Sequence, residues 1–215
     1  ILDGQNLQRV LYQPTIFNTM VVWDGLTLQN GRLNSGDGAG AYIYGNFQIV
    51  NCIVQYNTTL NGNGAGIYKN SNYSNPLYIT NTQILDNTAA NTYSEGGGLY
   101  SYYTTATNCR ISGNSAGYGA GVWSSAECNF FNSIIDHNTV TVIPGYGAVY
   151  VYGNSKYENC DIVNNTCTYN TTSGTGGVYS YSNNAVFDSC IICGNKRGYY
   201  VNNLMGTPTM QSSAI

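Results

Sequence analysis

The chain has 215 residues, only 8% of them charged, and a formal net charge of -3; without clustered Lys and Arg it has no phosphate-tracking surface, which excludes a nucleic-acid partner. Tyr at 21 and Gly at 26, against 5 Phe and 2 Trp, make the chain too aromatic to be disordered. No apolar run is long enough to span a bilayer, and the opening Ile1-Leu2-Asp3-Gly4 reads as the inside of a repeat and not as a signal peptide, so the chain reads as one solenoid domain over 1–215, cut from a longer polypeptide.

The first element, Val10-Leu11-Tyr12, is a strand copy from a turn that begins earlier. Seven repeats follow, each anchored by an Asn: Asn30, Asn57, Asn87, Asn114, Asn138, Asn165 and Asn195. Eight residues before the anchor stands a mostly large apolar residue (Val22, Ile49, Ile79, Ala106, Phe130, Tyr157, Phe187), and six before it Asp24, Asn51, Asn81, Asn108, Asn132, Asn159 or Ser189. Five before it the residue is small (Gly25, Cys52, Thr82, Cys109, Ser133, Cys160, Cys190). Three before it come Thr27, Val54, Ile84, Ile111, Ile135, Ile162 and Ile192. After a segment of variable length each repeat closes on a Gly-apolar-aromatic strand, as in Gly66-Ile67-Tyr68, Gly98-Leu99-Tyr100 and Gly121-Val122-Trp123, with Ala in place of Gly in Ala148-Val149-Tyr150 and with Gly198-Tyr199-Tyr200 as the last copy.

Agreement in five columns is the mark of a repeat array. The segments are short, β-branched and aromatic, and bounded by Gly and Asn, so they are strands, and no stretch keeps helical spacing. Two or three short strands per repeat must stack like on like. The chain therefore predicts an all-β, right-handed parallel β-helix of about seven to eight turns, a pectate-lyase-like solenoid, with an asparagine ladder inside or at a corner.

The string "ISGNSAGYGAGVW" (Ile111 to Trp123), with "GGGLY" and "GGVY", resembles the repeats of chlamydial polymorphic outer-membrane proteins. The NCxIxxN-like turns at Asn51 to Asn57 and Asn159 to Asn165, with "ILDGQN" at the start, look still more like secreted or surface-anchored β-helix proteins of Bacteroidetes. This resemblance implies a bacterial, extracellular or cell-surface protein, and it specifies architecture and not activity.

β-Helix folds also serve polysaccharide lyases and glycoside hydrolases, which need carboxylates and a cation on one face. The candidates here are Asp136, His137, Glu158, Asp161 and Arg110, weighed against their being solvated positions on the outer face. Cys52, Cys109, Cys160 and Cys190 read as buried small hydrophobes, with a Cys160–Cys190 bridge sterically open. Cysteine spacing offers no metal site, and no cofactor is implied. In the Gly-apolar-aromatic strand the side chains alternate, so the aliphatic residues fill the core and Tyr42, Tyr68, Tyr100, Trp123, Tyr150 and Tyr179 form an outward aromatic wall. Such a wall suits a glycan or a protein partner, or serves only to stabilise the array. The solenoid ends suit end-to-end or lateral self-association.

Overall fold

The computed structural model describes residues 1–15, 19–70, 75–142, 145–168, 174–198, 200–201 and 203–215, with the backbone alone at Gly145, Tyr200 and Val201. Within them there is no helix, and parallel strands stack into a β-solenoid of about seven turns. A full coil holds four short strands, against the two or three expected. In one coil they are Leu77–Thr80, Gln83–Leu85, Thr88–Ala89 and Leu99–Ser101. These belong to four sheets, here I to IV in that order, each of eight strands among the described residues.

Two corners cut the apolar segment into separate strands. Between sheets I and II the chain turns at Gly25, Asn51, Asn81, Asn108, Asn132, Asn159 and Ser189, with φ between 49° and 67°. Between sheets II and III it turns at Asn30, Tyr56, Asp86, Gly113, His137, Asn164 and Gly194, with φ between 52° and 69°. Asn, Asp, His and Gly bear this left-handed conformation at least cost, which explains most of both columns. The first corner also carries an exterior amide chain, in which Asn81 donates to Asn51 and Asn108 to Asn81, each at 3.3 Å.

The core is lined by sheet II (Leu28, Val54, Ile84, Ile111, Ile135, Ile162, Ile192), by sheet I and by the aliphatic column of sheet IV. Sheet I supplies an interior stack, Phe130 on Tyr157 at 4.7 Å and Tyr157 on Phe187 at 4.8 Å, and the buried Tyr157 hydroxyl is satisfied by Ser124 at 2.7 Å. One interior position is unusual. Lys69 is fully buried, its ammonium donating, among the described residues, to the carbonyls of Tyr44 and Asn70 alone, at 3.3 and 3.2 Å.

The anchor asparagines from Asn57 to Asn195 are fully buried and form the expected ladder, inside the solenoid. Asn87 donates through both its backbone N and its Nδ2 to Asn114 Oδ1, at 3.0 and 2.9 Å, and Asn114 does the same to Asn138. The second Nδ2 hydrogen goes back one coil, from Asn114 to the Ile84 carbonyl at 2.9 Å. The amide is thus spent in full, as a buried polar group must be. Asn203 closes the chain by accepting from Asn195.

The small column also has a polar logic. Each of these side chains donates to the carbonyl two residues earlier: Cys52 to Val50 at 3.1 Å, Thr82 to Thr80 at 2.9 Å, Cys109 to Thr107 at 3.3 Å, Ser133 to Phe131 at 2.8 Å. Three of these side-chain atoms also accept a backbone N–H from the coil before: Leu26 N donates to Cys52 Sγ at 3.4 Å, Cys52 N to Thr82 Oγ1 at 3.2 Å and Cys109 N to Ser133 Oγ at 3.1 Å. Cys, Ser and Thr are exchangeable here because each is small and carries one donor.

Two expectations are corrected. In the first coil the register is one residue later than the sequence suggests: Leu28 pairs with Val54, and Trp23, not Val22, pairs with Ile49. The ladder position is therefore Gly31, whose N donates to Asn57 Oδ1 at 2.8 Å, while Asn30 is a left-handed corner residue. At the other end Tyr200–Val201 folds back antiparallel on Lys196–Arg197, and sheet IV continues instead with Leu204–Gly206, which places Met205 opposite Tyr179. The reversal follows Gly198, at φ 55°. Tyr199 lies outside the described residues.

Candidate functional site

Sheet IV has the parity expected of it. Ile67, Leu99, Val122, Val149 and Val178 are fully buried, so the aromatic residues between them face outward. Register puts Tyr12, Tyr42, Tyr68, Tyr100, Trp123, Tyr150 and Tyr179 directly opposite one another. Their rings stack along the solenoid axis: Tyr42 on Tyr68 at 5.3 Å, Tyr68 on Tyr100 at 4.6 Å, Tyr100 on Trp123 at 4.4 Å and Tyr150 on Tyr179 at 5.3 Å, all within 19° of parallel. Each such pair contributes about 0.5–1.5 kcal/mol beyond burial. Because the coils are one strand spacing apart, each ring spends its faces on its neighbours and turns its edge outward.

The stack lies between two flanks. On one side Tyr102, Tyr152 and Tyr181 form a second outward column, with Tyr152 on Tyr181 at 5.3 Å and 8°. On the other, the chain between sheets III and IV climbs as a fifth ridge. Gly38 N donates to the Asn63 carbonyl, Gly64 to Glu95, Gly96 to Tyr118, Gly119 to Tyr146 and Gly147 to Thr175, at 2.9 to 3.2 Å. Each of these glycines has φ between 55° and 67°.

Tyr146 packs against Tyr179 at 4.5 Å. Between the flanks the middle of the stack is covered, Tyr100 being 7% and Trp123 6% exposed, while Tyr152 and Tyr181 are 52% and 65% exposed. The Trp123 indole N–H is buried and has no hydrogen-bond partner among the described residues.

Electrostatics follow from this cover. Burial, helped by the charges of Asp37 and neighbouring rings, pushes the Tyr68 phenol well up, and Tyr100 and Tyr150 are raised mainly by burial too. These hydroxyls keep their protons at any physiological pH. Glu95, on the ridge, is pushed up to about 7 by burial first and by Asp37 second. At the open end of the stack the Arg9 guanidinium lies 4.5 Å from the Tyr12 ring centre and donates to the Gly38 and Asp37 carbonyls at 3.0 and 2.9 Å.

The five catalytic candidates do not converge. Arg110, Asp136 and His137 meet: Asp136 takes Arg110 at 2.9 and 3.3 Å and His137 Nδ1 at 2.9 Å. Burial would raise the Asp136 carboxyl, but hydrogen bonds from Arg110, His137 and Ser112 outweigh it and hold the group below its usual value. Among the described residues no hydroxyl hydrogen-bonds the His137 ring, whose Nδ1 is taken by Asp136, so no nucleophile, base and orienting acid stand in line. Glu158 stands on sheet I and pairs with Lys156. Asp161, on sheet II, shares the column of Arg110 from two coils away, with Ile134 between them.

Cys52, Cys109, Cys160 and Cys190 are buried free thiols, as is Cys128; Cys167 is buried and Cys193 is exposed. Among the described residues no three His, Cys, Asp or Glu side chains gather as a metal-binding group, and no helix is long and apolar enough to cross a membrane. The fifth ridge and the buried lysine were missed in the sequence. The ridge had a signal in its glycines, which recur a few residues before each sheet IV strand.

No protein-family model, no curated protein and no solved structure matches this chain.

Proposed function

We propose that the chain is a non-catalytic module of a secreted or cell-surface bacterial protein, an adhesin-like binder that meets a glycan or protein partner through the outer face of sheet IV. The observation that carries this reading is the aromatic array itself. Seven rings in register, with an exposed tyrosine column at their side, form an amphipathic surface several coils long, and surfaces of that extent on soluble proteins are commonly binding sites. The stack presents ring edges and the flank presents hydroxyls, which suits contact with a polar, partly apolar partner. Against a hydrolytic or lyase role, Asp136 is engaged with Arg110 and His137, Glu158 is paired with Lys156, and Asp161 stands two coils from Arg110.

The test is binding to a glycan array and to candidate surface proteins by the wild type and a Tyr152→Ser/Tyr181→Ser variant. These two positions are chosen because they are exposed, whereas Tyr100 and Trp123 are part of the packed structure. Loss of binding with an unchanged melting curve supports the reading. Unchanged binding removes sheet IV as the contact face. A structural stalk is the second reading, favoured by the unbroken asparagine ladder; it predicts no ligand at all.

A further inference from the structure

Beside the tyrosine flank, two depressions of about 420 and 260 Å³ share Glu127 and Asn154 and join into one groove over the corner between sheets IV and I. We propose that this groove is a binding site for an uncharged oligosaccharide. The inference deepens the binding role proposed above and rests on it.

Three features carry it. The groove follows the axis: Asn129, Lys156 and Val186 line it in one register column, and Glu127, Asn154 and Asn184 line its corner side. Successive coils are about 4.8 Å apart, so three coils offer polar groups at a regular repeat over about 10 Å, which fits a linear chain better than a compact ligand. Second, the lining is rich in amides. An amide both donates and accepts, as a sugar hydroxyl does. The side chains of Asn129, Asn184 and Glu127 make no hydrogen bond among the described residues, so their capacity faces the groove and solvent.

Third, the rim combines exposed rings with a strained corner. Tyr152 and Tyr181 immediately precede the groove residues Gly153-Asn154 and the Ser182-to-Asn184 segment, and they supply apolar edges for the C–H faces of a sugar. Tyr103, at the groove end, holds φ 46°, a conformation that costs an ordinary residue about 1–2 kcal/mol. Such strain clusters at ligand sites.

Charge selects among sugars. Glu127 lines the groove, and Glu158 and Asp188 stand opposite each other in the next outward column of sheet I. Against these three carboxylates stands one ammonium, Lys156, already paired with Glu158. A uronic acid would meet repulsion, and a neutral chain would not.

Isothermal titration with three probes tests this: a tetramer of β-1,4-linked N-acetylglucosamine, a tetramer of β-1,4-linked glucose, and tetragalacturonate. At least one neutral probe should bind the wild type, with the uronate at least ten-fold weaker. Asn129→Ala/Asn184→Ala should weaken the neutral probe at least ten-fold without moving the melting temperature. Glu127→Gln/Asp188→Asn should narrow the gap to the uronate at least three-fold. If the uronate binds the wild type best, or a neutral probe binds and ignores the amide variant, the groove proposal fails. Neutral binding that is lost only in Tyr152→Ser/Tyr181→Ser would overturn the groove and leave the sheet IV reading standing. Failure of all three probes, with a protein partner bound through sheet IV, would do the same.

Discussion

Gly98 and the side chain of Asn114 compete for one place: a Cβ added to Gly98 would stand 2.9 Å from both Cγ and Nδ2 of Asn114, and 2.8 Å from the Gly121 carbonyl oxygen. Gly66 stands in the same relation to Asn87, Gly121 to Asn138 and Gly177 to Asn195. In these coils the glycine that opens the sheet IV strand and the asparagine of the next coil are therefore one device, while Ala148 stands at the equivalent position before Val149. Gly98→Ala should destabilise the fold by about 1–3 kcal/mol, as overpacking does. Combined with Asn114→Ala the loss should be less than the sum of the two single losses, because the second change removes the Asn114 part of the clash and leaves that with the Gly121 carbonyl. Urea denaturation of the four proteins in the cycle measures it, and strict additivity would show that the contact does not matter.

The interior and exterior amide chains should differ in energetic weight. Asn114→Leu strips the acceptor from Asn87 N and Nδ2 and removes the donor to the Ile84 carbonyl, all in the dry core. Leaving buried groups unpaired costs about 1–3 kcal/mol each, so the expected loss is on the order of 3 kcal/mol or more. Asn108→Asp, on the exposed corner with one 3.3 Å amide bond to Asn81, should cost well under 1 kcal/mol, about what exposed polar changes cost. Equal losses would contradict the assignment of the inner chain as the structural one.

Lys69 should be a stability liability that alkali relieves. Burial brings its ammonium down to about 8 from the ordinary 10.5. Between those values the unfolded chain holds the proton and the folded chain does not, so stability rises with pH from about 8 to 10.5 and is lower below that window. The full shift corresponds to about 3 kcal/mol. Lys69→Met should stabilise the protein at neutral pH and flatten the rise, as chemical denaturation between pH 7 and 10.5 would reveal.

Glu95 should act in the opposite sense and over a lower range. Its folded value of about 7 exceeds the ordinary 4.5, so its contribution is fully present below 4.5 and is lost as pH rises through 7. Glu95→Gln should be no less stable than the wild type at pH 7.5 and should lose the slope between pH 4.5 and 7. A slope that survives in the variant would assign it to other carboxyls.

The thiol column should tolerate its own alternatives. Cys109→Ser should keep the bond to Thr107 O, whereas Cys109→Val keeps the size and loses it. The valine should be the less stable of the two by about 1 kcal/mol, the net worth of a buried hydrogen bond. Native labelling should reach Cys193 quickly and Cys109, raised to about 11 by burial, only on unfolding.

The columns were legible because a solenoid places equivalent residues in equivalent surroundings, so Ile84, Ile111 and Ile135 answer to one constraint. Where the sequence misled, one residue type serves two constraints. Asn suits both the buried ladder and the left-handed corner, and Asn30 resembles the first while occupying the second. Gly198-Tyr199-Tyr200 repeats the letters of sheet IV just where the chain reverses. The cover over Tyr100 and Trp123 was not legible, since it comes from Tyr102 and from the ridge, whose segment varies in length. Lys69 stands where other coils have Ile43, Ser101 or Val151, so nothing in its spacing marks it.

Every amide in the inner ladder points the same way, from Asn57 toward Asn203, and so the array has a polarity like that of a filament subunit. Its donor end and its acceptor end are different chemical surfaces. A gene that duplicates or deletes one whole coil joins a donor end to an acceptor end and leaves every junction as it was. A half-coil cannot be spliced without breaking the run. Length in such a protein therefore changes in steps, each the size of one coil. The same directionality gives recombination a grammar: coils are interchangeable words, provided that they are read in one direction.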